Sequence, residues 1–249
     1  METLIFDCDG VLVDSEVIAE MTLAERLAEW LPDLDIETEI GKALGQTTAA
    51  ILAGLESASQ HPLPQDALTL IDDEIEARLA HDLIAIDGVA DAIARLTLSK
   101  AVVSNSRRLR VESSLNRTGL AEVFGALPIF CAEQVARPKP APDIYLLAAK
   151  TLGVEPADCL VVEDSVSGAT AARAAGMTVI GFVGASHIAP GHDQRLDDLG
   201  VWRVMRHMSE LPGLVQAWQQ RRGSHADQQE PDRQAPGQQA DNHGSSVSR

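Results

Sequence analysis

The chain has 249 residues, 45% of them hydrophobic, with three cysteines (Cys8, Cys131 and Cys159) and a formal net charge of −17. That length buries a sizeable core and excludes a peptide-like or disulfide-stapled scaffold, while the charge repels a phosphate backbone and an anionic membrane surface alike. Neither nucleic acid nor a membrane is therefore an expected partner, and the widely spaced cysteines, each beside aliphatic neighbours, read as reduced buried thiols instead of a zinc site.

Taken in chain order, the first element is a strand over Thr3–Asp7. Met1-Glu2-Thr3 lacks the basic start of a secretory signal, and apolar stretches such as Ala126–Cys131 fall far short of the roughly 20 residues of a membrane span. A soluble cytoplasmic protein is the expectation. Residues 15–85 differ in kind, carrying fifteen acids against only Arg26, Lys42 and Arg78. Their apolar residues keep helical spacing, as in Val17, Met21, Ala24 and Leu27 or Leu68, Ile71, Ile75 and Leu79, broken at Pro32, Gly54 and Pro62-Leu63-Pro64. Strand-like runs resume at Ala101–Ser104, Ala126–Cys131, Leu160–Glu163, Thr178–Val183 and Val201–Met205. Amphipathic helices near Gly88–Thr97, Arg107–Thr118, Pro142–Leu152 and Val166–Ala175 supply the crossovers.

This alternation predicts an α/β fold, a doubly wound parallel sheet interrupted by an all-helical insertion. The expected boundaries are a catalytic core over 1–14 and 86–222, a helical cap over 15–85, and a tail over 223–249. The tail is rich in Gln, Ser, Gly and Asp and has too few apolar residues to offset the entropy of ordering, so it is expected to be disordered.

Chemistry concentrates where strands end. The first strand runs into Asp7-Cys8-Asp9-Gly10, the second into Ser104-Asn105, and a later one into Glu163-Asp164-Ser165; between them Lys139 sits in the proline-rich loop Arg137-Pro138-Lys139-Pro140. Taken singly, each group has a bland alternative as a turn, a helix cap or a solvated charge. Their joint occurrence at the carboxyl ends of strands, where open parallel sheets bind ligands, argues for a site. An aspartate can attack phosphorus, provided its charge and that of the phosphate are neutralised. Asp7 and Asp164 can offer oxygens to Mg²⁺, with Glu163 in reserve, and Lys139 offsets the remaining charge. The Ser104 hydroxyl and backbone amides at a helix start would hold the phosphate oxygens. Asp9 is placed to protonate the leaving oxygen and then to activate water.

The segments Asp7–Glu16, Ser104-Asn105, Lys139–Asp143 and Glu163–Gly168 together resemble the four motifs of the haloacid dehalogenase superfamily, in order and spacing across residues 3–183. The insertion after the first motif resembles the cap of the group holding β-phosphoglucomutase and sugar-phosphate phosphatases. The resemblance implies Asp7 as nucleophile, Asp9 as acid/base, Ser104 and Lys139 on phosphate, and Mg²⁺ held by Asp7, the Asp9 carbonyl and Asp164. The expected activity is hydrolysis of a small phosphorylated substrate, a sugar or polyol monophosphate. Dehalogenation is disfavoured, because the dehalogenase members lack a second aspartate like Asp9. Receiver-type regulatory domains also gather acids, a hydroxyl and a lysine, but they are smaller and lack an inserted cap. A phosphomutase is the closer rival. The resembling mutases place a histidine ten positions beyond the acid/base aspartate, where this chain has Ala19. They also place an arginine three residues after a cap glycine, where counting from Gly45 reaches Thr48. In the cap, Gln46 and Thr47 are candidates to hydrogen-bond a polyol, and Lys42 is a weak candidate for a second anionic group.

Overall fold

The computed structural model describes residues 1–42 and 48–227. β1 (Thr3–Phe6) is buried along its whole length, as a strand ending in three apolar residues and covered on both faces must be. Its continuation, Asp7, Cys8 and Asp9, leaves the sheet through a tight turn at Gly10, whose φ of 73° suits glycine. Among the described residues four helices then follow before the chain comes back beside Val13 at Ala85: α1 (Glu16–Trp30), α2 (Ile36–Lys42), α3 (Thr48–Ala58) and α4 (Ala67–Asp82). Among the described residues no strand lies between 15 and 85; a single isolated bridge pairs Val13 with Ala85. Around that bridge Asp14 donates its amide to Ile84 and Ile86 donates to Leu12, so the two ends of the insertion are stitched side by side.

The insertion has its own apolar cluster, including Leu23, Leu27, Leu31, Ile51, Leu55 and Ile71, distinct from the cluster on the sheet. It corrects part of the expected helical stripe. Leu27, Ile71 and Leu79 are buried as the spacing predicts, but Met21 is 55% and Leu68 41% exposed. The stripe of α1 runs through Leu23 and Leu27, about one position round from Val17 and Met21. Its polar and apolar residues are weakly segregated, so packing against α4 chooses the face.

After α5 (Val89–Ala94) come β2 (Ser99–Ser104), α6 (Arg108–Arg117), α7 (Leu120–Phe124), β3 (Ile129–Cys131), α8 (Asp143–Leu152) and β4 (Cys159–Glu163). α9 (Val166–Ala174), β5 (Thr178–Phe182), α10 (His192–Asp198), β6 (Arg203–Met205) and α11 (Leu211–Asp227) complete the described chain. The six strands are all parallel, in the order β3-β2-β1-β4-β5-β6. Ile5 at the centre pairs with Ala101 on one side and Val161 on the other. β3 starts at Ile129 instead of Ala126, because Pro128 has no amide to give the ladder and contributes only its carbonyl, to Val102.

None of the three cysteines is in a disulfide and all are buried, and burial pushes the Cys131 thiol up to about 11, so it stays protonated at neutral pH. α11 continues through Asp227, past Gly223 where the tail was expected to begin; the rest of the tail lies outside the described residues, as do Gln46 and Thr47. No helix among the described residues is long and apolar enough to cross a membrane.

Candidate active site

The strand order reverses direction between β1 and β4, and a crevice opens there at the carboxyl ends, as expected at a topological switch point. Asp7 follows β1 and Asp164 follows β4, one on each side of it. The cavity has a volume of about 340 Å³, and its lining includes Asp7, Asp9, Ser104, Asn105, Lys139 and Asp164. Groups spread over more than 150 positions of sequence thus meet in one place.

Lys139 is the centre of the charge arrangement. Its ammonium donates to Asp7 Oδ1 at 2.7 Å, to Glu163 Oε1 at 2.6 Å and to the Val103 carbonyl at 2.9 Å, using all three protons. Its side chain is 4% exposed, so the loop that carries it must be held accurately. Asn105 does this with both ends of its amide: Nδ2 donates to the Lys139 carbonyl at 3.1 Å, and Oδ1 accepts from the Lys139 amide at 3.0 Å. Further along the loop Arg137 grips Asp143, the first residue of α8, in a two-pronged contact.

Glu163 is fully buried and saturated. Oε1 also accepts from the Tyr145 hydroxyl at 2.7 Å, and Oε2 accepts from the Ser165 hydroxyl at 3.1 Å. Ser165 in turn caps α9, taking the Gly168 amide at 2.9 Å. Gly168 has to be glycine, since a Cβ there would lie 1.8 Å from Glu163 Oε1. Tyr145 is the chain's single tyrosine, and its buried hydroxyl finds a partner as such groups usually do. Its position on α8 gave no advance sign of that partner.

Asp9 stands at the cavity wall within a ring of donors. Ser15 Oγ donates to its Oδ1 at 2.7 Å, and Ser106 and Ser104 donate to Oδ2 at 2.7 and 3.4 Å. Ser106 was not singled out from the sequence, although it is in the same strand-end run as Ser104; Ser15 and Glu16 fall inside the first motif, Asp7–Glu16, but were given no role of their own. His187, on the loop after β5, was also missed. Its Nε2 lies 3.2 Å from Asp164 Oδ2, while His192 Nε2 sits 2.5 Å from the Asp164 carbonyl. The rule that pointed to β1 and β4 applies equally to the loop after β5, and it would have flagged His187.

Negative charge is in excess here. Burial raises the Asp7 carboxyl well above its ordinary range; Lys139 opposes this, and the neighbouring carboxylates of Glu163, Asp164 and Asp9 add to it. Asp164 is likewise raised by burial, with the His187 contact pulling the other way. Burial alone would lower Lys139, yet Asp7 and Glu163 carry it upward, so it stays charged. One lysine does not balance these acids, and the arrangement suits an added cation. Oxygens of Asp7, Glu163 and Asp164 lie within 4.8 Å of one another. The space beside them is kept open by Gly10, where a Cβ would come 2.0 Å from Asp164 Oδ2. Hard oxygen donors of this kind fit Mg²⁺. Both Glu163 oxygens already have partners, whereas Asp7 and Asp164 line the cavity.

A family model described as haloacid dehalogenase-like hydrolase matches residues 1–176. The 6-phosphogluconate phosphatase of Escherichia coli K12 is 29% identical over 226 residues, which is 87% of this chain and 96% of that protein. Fructose-1-phosphate phosphatase from the same organism is 33% identical over 181 residues, covering 71% of this chain and 94% of its own. Among solved structures, a haloacid dehalogenase-like protein from Agrobacterium tumefaciens superimposes with a TM-score of 0.77 at 41% identity, over 87% of this chain and 98% of that one. With a six-stranded parallel sheet, a helical insertion after the first strand and an acid-rich crevice at the switch point, the chain belongs to the haloacid dehalogenase-like hydrolases.

Proposed function

We propose that the protein is a Mg²⁺-dependent phosphatase that hydrolyses small sugar or polyol monophosphates through a phosphorylated Asp7. The observation that carries this reading is the placing of Asp7 within 2.7 Å of the Lys139 ammonium, with Asp164 across the crevice and Asp9 two residues on. Asp7 and Asp164, with the Asp9 carbonyl implied by family resemblance, would hold the metal; when bound it supplies charge neutralisation for the carboxylates and the phosphate.

In the first half-reaction a carboxylate oxygen of Asp7 bonds to phosphorus as the bond from phosphorus to the ester oxygen breaks. Asp9 delivers a proton to that oxygen, and the alcohol leaves. In the second, Asp9 takes a proton from water as the water oxygen attacks phosphorus, releasing phosphate and restoring the Asp7 carboxylate. Lys139 and the Ser104 hydroxyl stabilise the charge on the phosphoryl oxygens, and Asn105 and Glu163 keep Lys139 in register. The insertion over residues 15–85 acts as a cap, and its α4 faces the core helix α6.

Hydrolysis is favoured over phosphoryl shuttling. Ala19 and Thr48 both line a hollow beside the cavity, and neither offers the imidazole or guanidinium of the mutase pattern. Multiple turnover of p-nitrophenyl phosphate with Mg²⁺ tests the reading, and it should stop on chelation and fall at least about a thousandfold in Asp7→Asn, an amide being a poor nucleophile. Activity surviving both treatments would sink it. Incubation with glucose 1-phosphate and a trace of the 1,6-bisphosphate should release phosphate faster than it accumulates glucose 6-phosphate; the reverse outcome establishes a mutase.

A further inference from the structure

Beyond the phosphate cavity, a second hollow of about 550 Å³ opens between α4 and α6, and the two share Glu16, Asn105 and Ser106. One wall carries Arg107, the residue just before α6, and Arg110 on α6; the α4 wall carries Asp72, Asp73 and Glu76. These charges are graded by depth. Asp72, Asp73, Glu76 and Arg107 are exposed, where water and salt screen them. Arg110 is set deeper, with its side chain 25% exposed and its Nε buried without a hydrogen-bond acceptor.

The terminal nitrogens of Arg110 stand 3.7 Å from Asp9 Oδ1 and 3.6 Å from Glu76 Oε1. Both distances exceed the roughly 2.7–2.9 Å of a charge-assisted hydrogen bond. A half-buried guanidinium, a planar fork of five donors, is thus aimed between two carboxylates without closing on either. It also stands on the side of Asp9, the proposed proton donor to the leaving oxygen, so the carbon skeleton of a substrate would extend toward it.

We propose that Arg110 is a specificity residue that receives the carboxylate of a phosphorylated polyhydroxy acid, while the α4 carboxylates accept hydrogen bonds from its hydroxyls. This assignment rests on the phosphatase reading and deepens it. Acceptors alone would suit any polyol, and a cation alone would suit any anion; the hollow presents both. The exposed acids repel a carboxylate at the mouth, which leaves Arg110 as the place where one is stabilised.

The test uses pairs of phosphate esters that differ only by a carboxylate in place of a hydroxymethyl group: 6-phosphogluconate against glucitol 6-phosphate, and 3-phosphoglycerate against glycerol 3-phosphate. The wild type should prefer the acid of at least one pair in kcat/KM, by on the order of tenfold to a hundredfold. Arg110→Gln should bring that ratio near unity, mainly through a higher KM for the acid, and Glu76→Gln should raise it by removing a competing carboxylate. Because each ratio is taken on one preparation, a partly unfolded variant does not distort it. A wild type that prefers the polyol esters overturns the inference. So does an Arg110→Gln variant that slows both members of a pair equally, which would reveal a group that only holds Asp9. If p-nitrophenyl phosphate is hydrolysed but no member of either pair is, the inference falls and the phosphatase reading stands. If the Mg²⁺-loaded wild type turns over none of these compounds, it is the phosphatase reading that fails.

Discussion

At the carboxyl ends of β1 and β4, Lys139 is 4% exposed and divides its three protons among Asp7, Glu163 and a carbonyl. In the insertion, Arg26 and Arg78 each pair with two glutamates, yet they remain 38% and 31% exposed. The contrast separates two uses of charge. A buried ion pair is costly to break, because removing one partner strands the other away from water. An exposed pair sits in high dielectric and contributes little. Position is therefore controlled tightly where the chemistry is. The insertion relies for its integrity on the apolar cluster around Leu27 and Ile71.

The severest break in that comparison, after loss of Asp7 itself, is Gly168→Ala. Its new Cβ would meet Glu163 at 1.8 Å and push that carboxylate off Lys139. We expect kcat to fall about ten- to a hundredfold, and stability to fall by about 3 kcal/mol, from overpacking and the disturbed buried pair. Steady-state kinetics with a denaturant titration checks both. On the other side of the comparison, Ile71→Ala opens a cavity in the insertion's own cluster and should cost about 2–5 kcal/mol. Hydrogen exchange should show the loss confined to α1–α4. The rate on p-nitrophenyl phosphate should fall less than the rate on a sugar phosphate, which has more to gain from a firm cap.

Tyr145→Phe makes a milder change at the sheet, deleting the donor to Glu163 Oε1 while the ring stays in place. About 1–2 kcal/mol of stability should go, with a loss in kcat of less than about tenfold, because Lys139 and Ser165 still hold Glu163. The smallest effect belongs to Glu74, whose carboxyl is held below its ordinary range by hydrogen bonding to Arg26 and then to Arg78. A depressed carboxyl contributes stability above its unfolded pKa of about 4.3 and loses it as the pH falls through the lower folded value. Glu74→Gln should lower the melting temperature by about a degree or two at neutral pH, and the difference should close below about pH 4. A difference of many degrees would show that the exposed network matters more than this comparison allows.

Much of the site was legible in the chain because parallel sheets announce their strands as short apolar runs and bind ligands where those runs end. Asp7, Ser104 and Asp164 are found by that rule, and Lys139 as a cation held in a proline-rich loop just before a helix. Asp9 and Asn105 are next to them, and the geometry adds that Asn105 clamps the Lys139 loop. Tyr145, His187 and Arg110 were not found. His187 lines the crevice, Tyr145 meets Glu163 beneath it and Arg110 lines the hollow beside it, and each is defined by what it meets across the fold. The insertion was readable as helical from its spacing and breaks, but Met21 and Leu68 turned out exposed, since four short helices with weakly segregated faces can pack in more than one rotation.

What the sequence by itself determined was therefore the order and kind of the elements, the acids and hydroxyl available at strand ends, and a lysine in a proline-rich loop, because hydrophobic period, strand termini and proline loops are local properties. Only the tertiary structure decided which charges are buried together, which face of each helix of the insertion is covered, and that an arginine on α6 looks across a hollow at carboxylates on α4. Those outcomes depend on distances between segments far apart in the chain, and on the water excluded when they pack, neither of which any local pattern encodes.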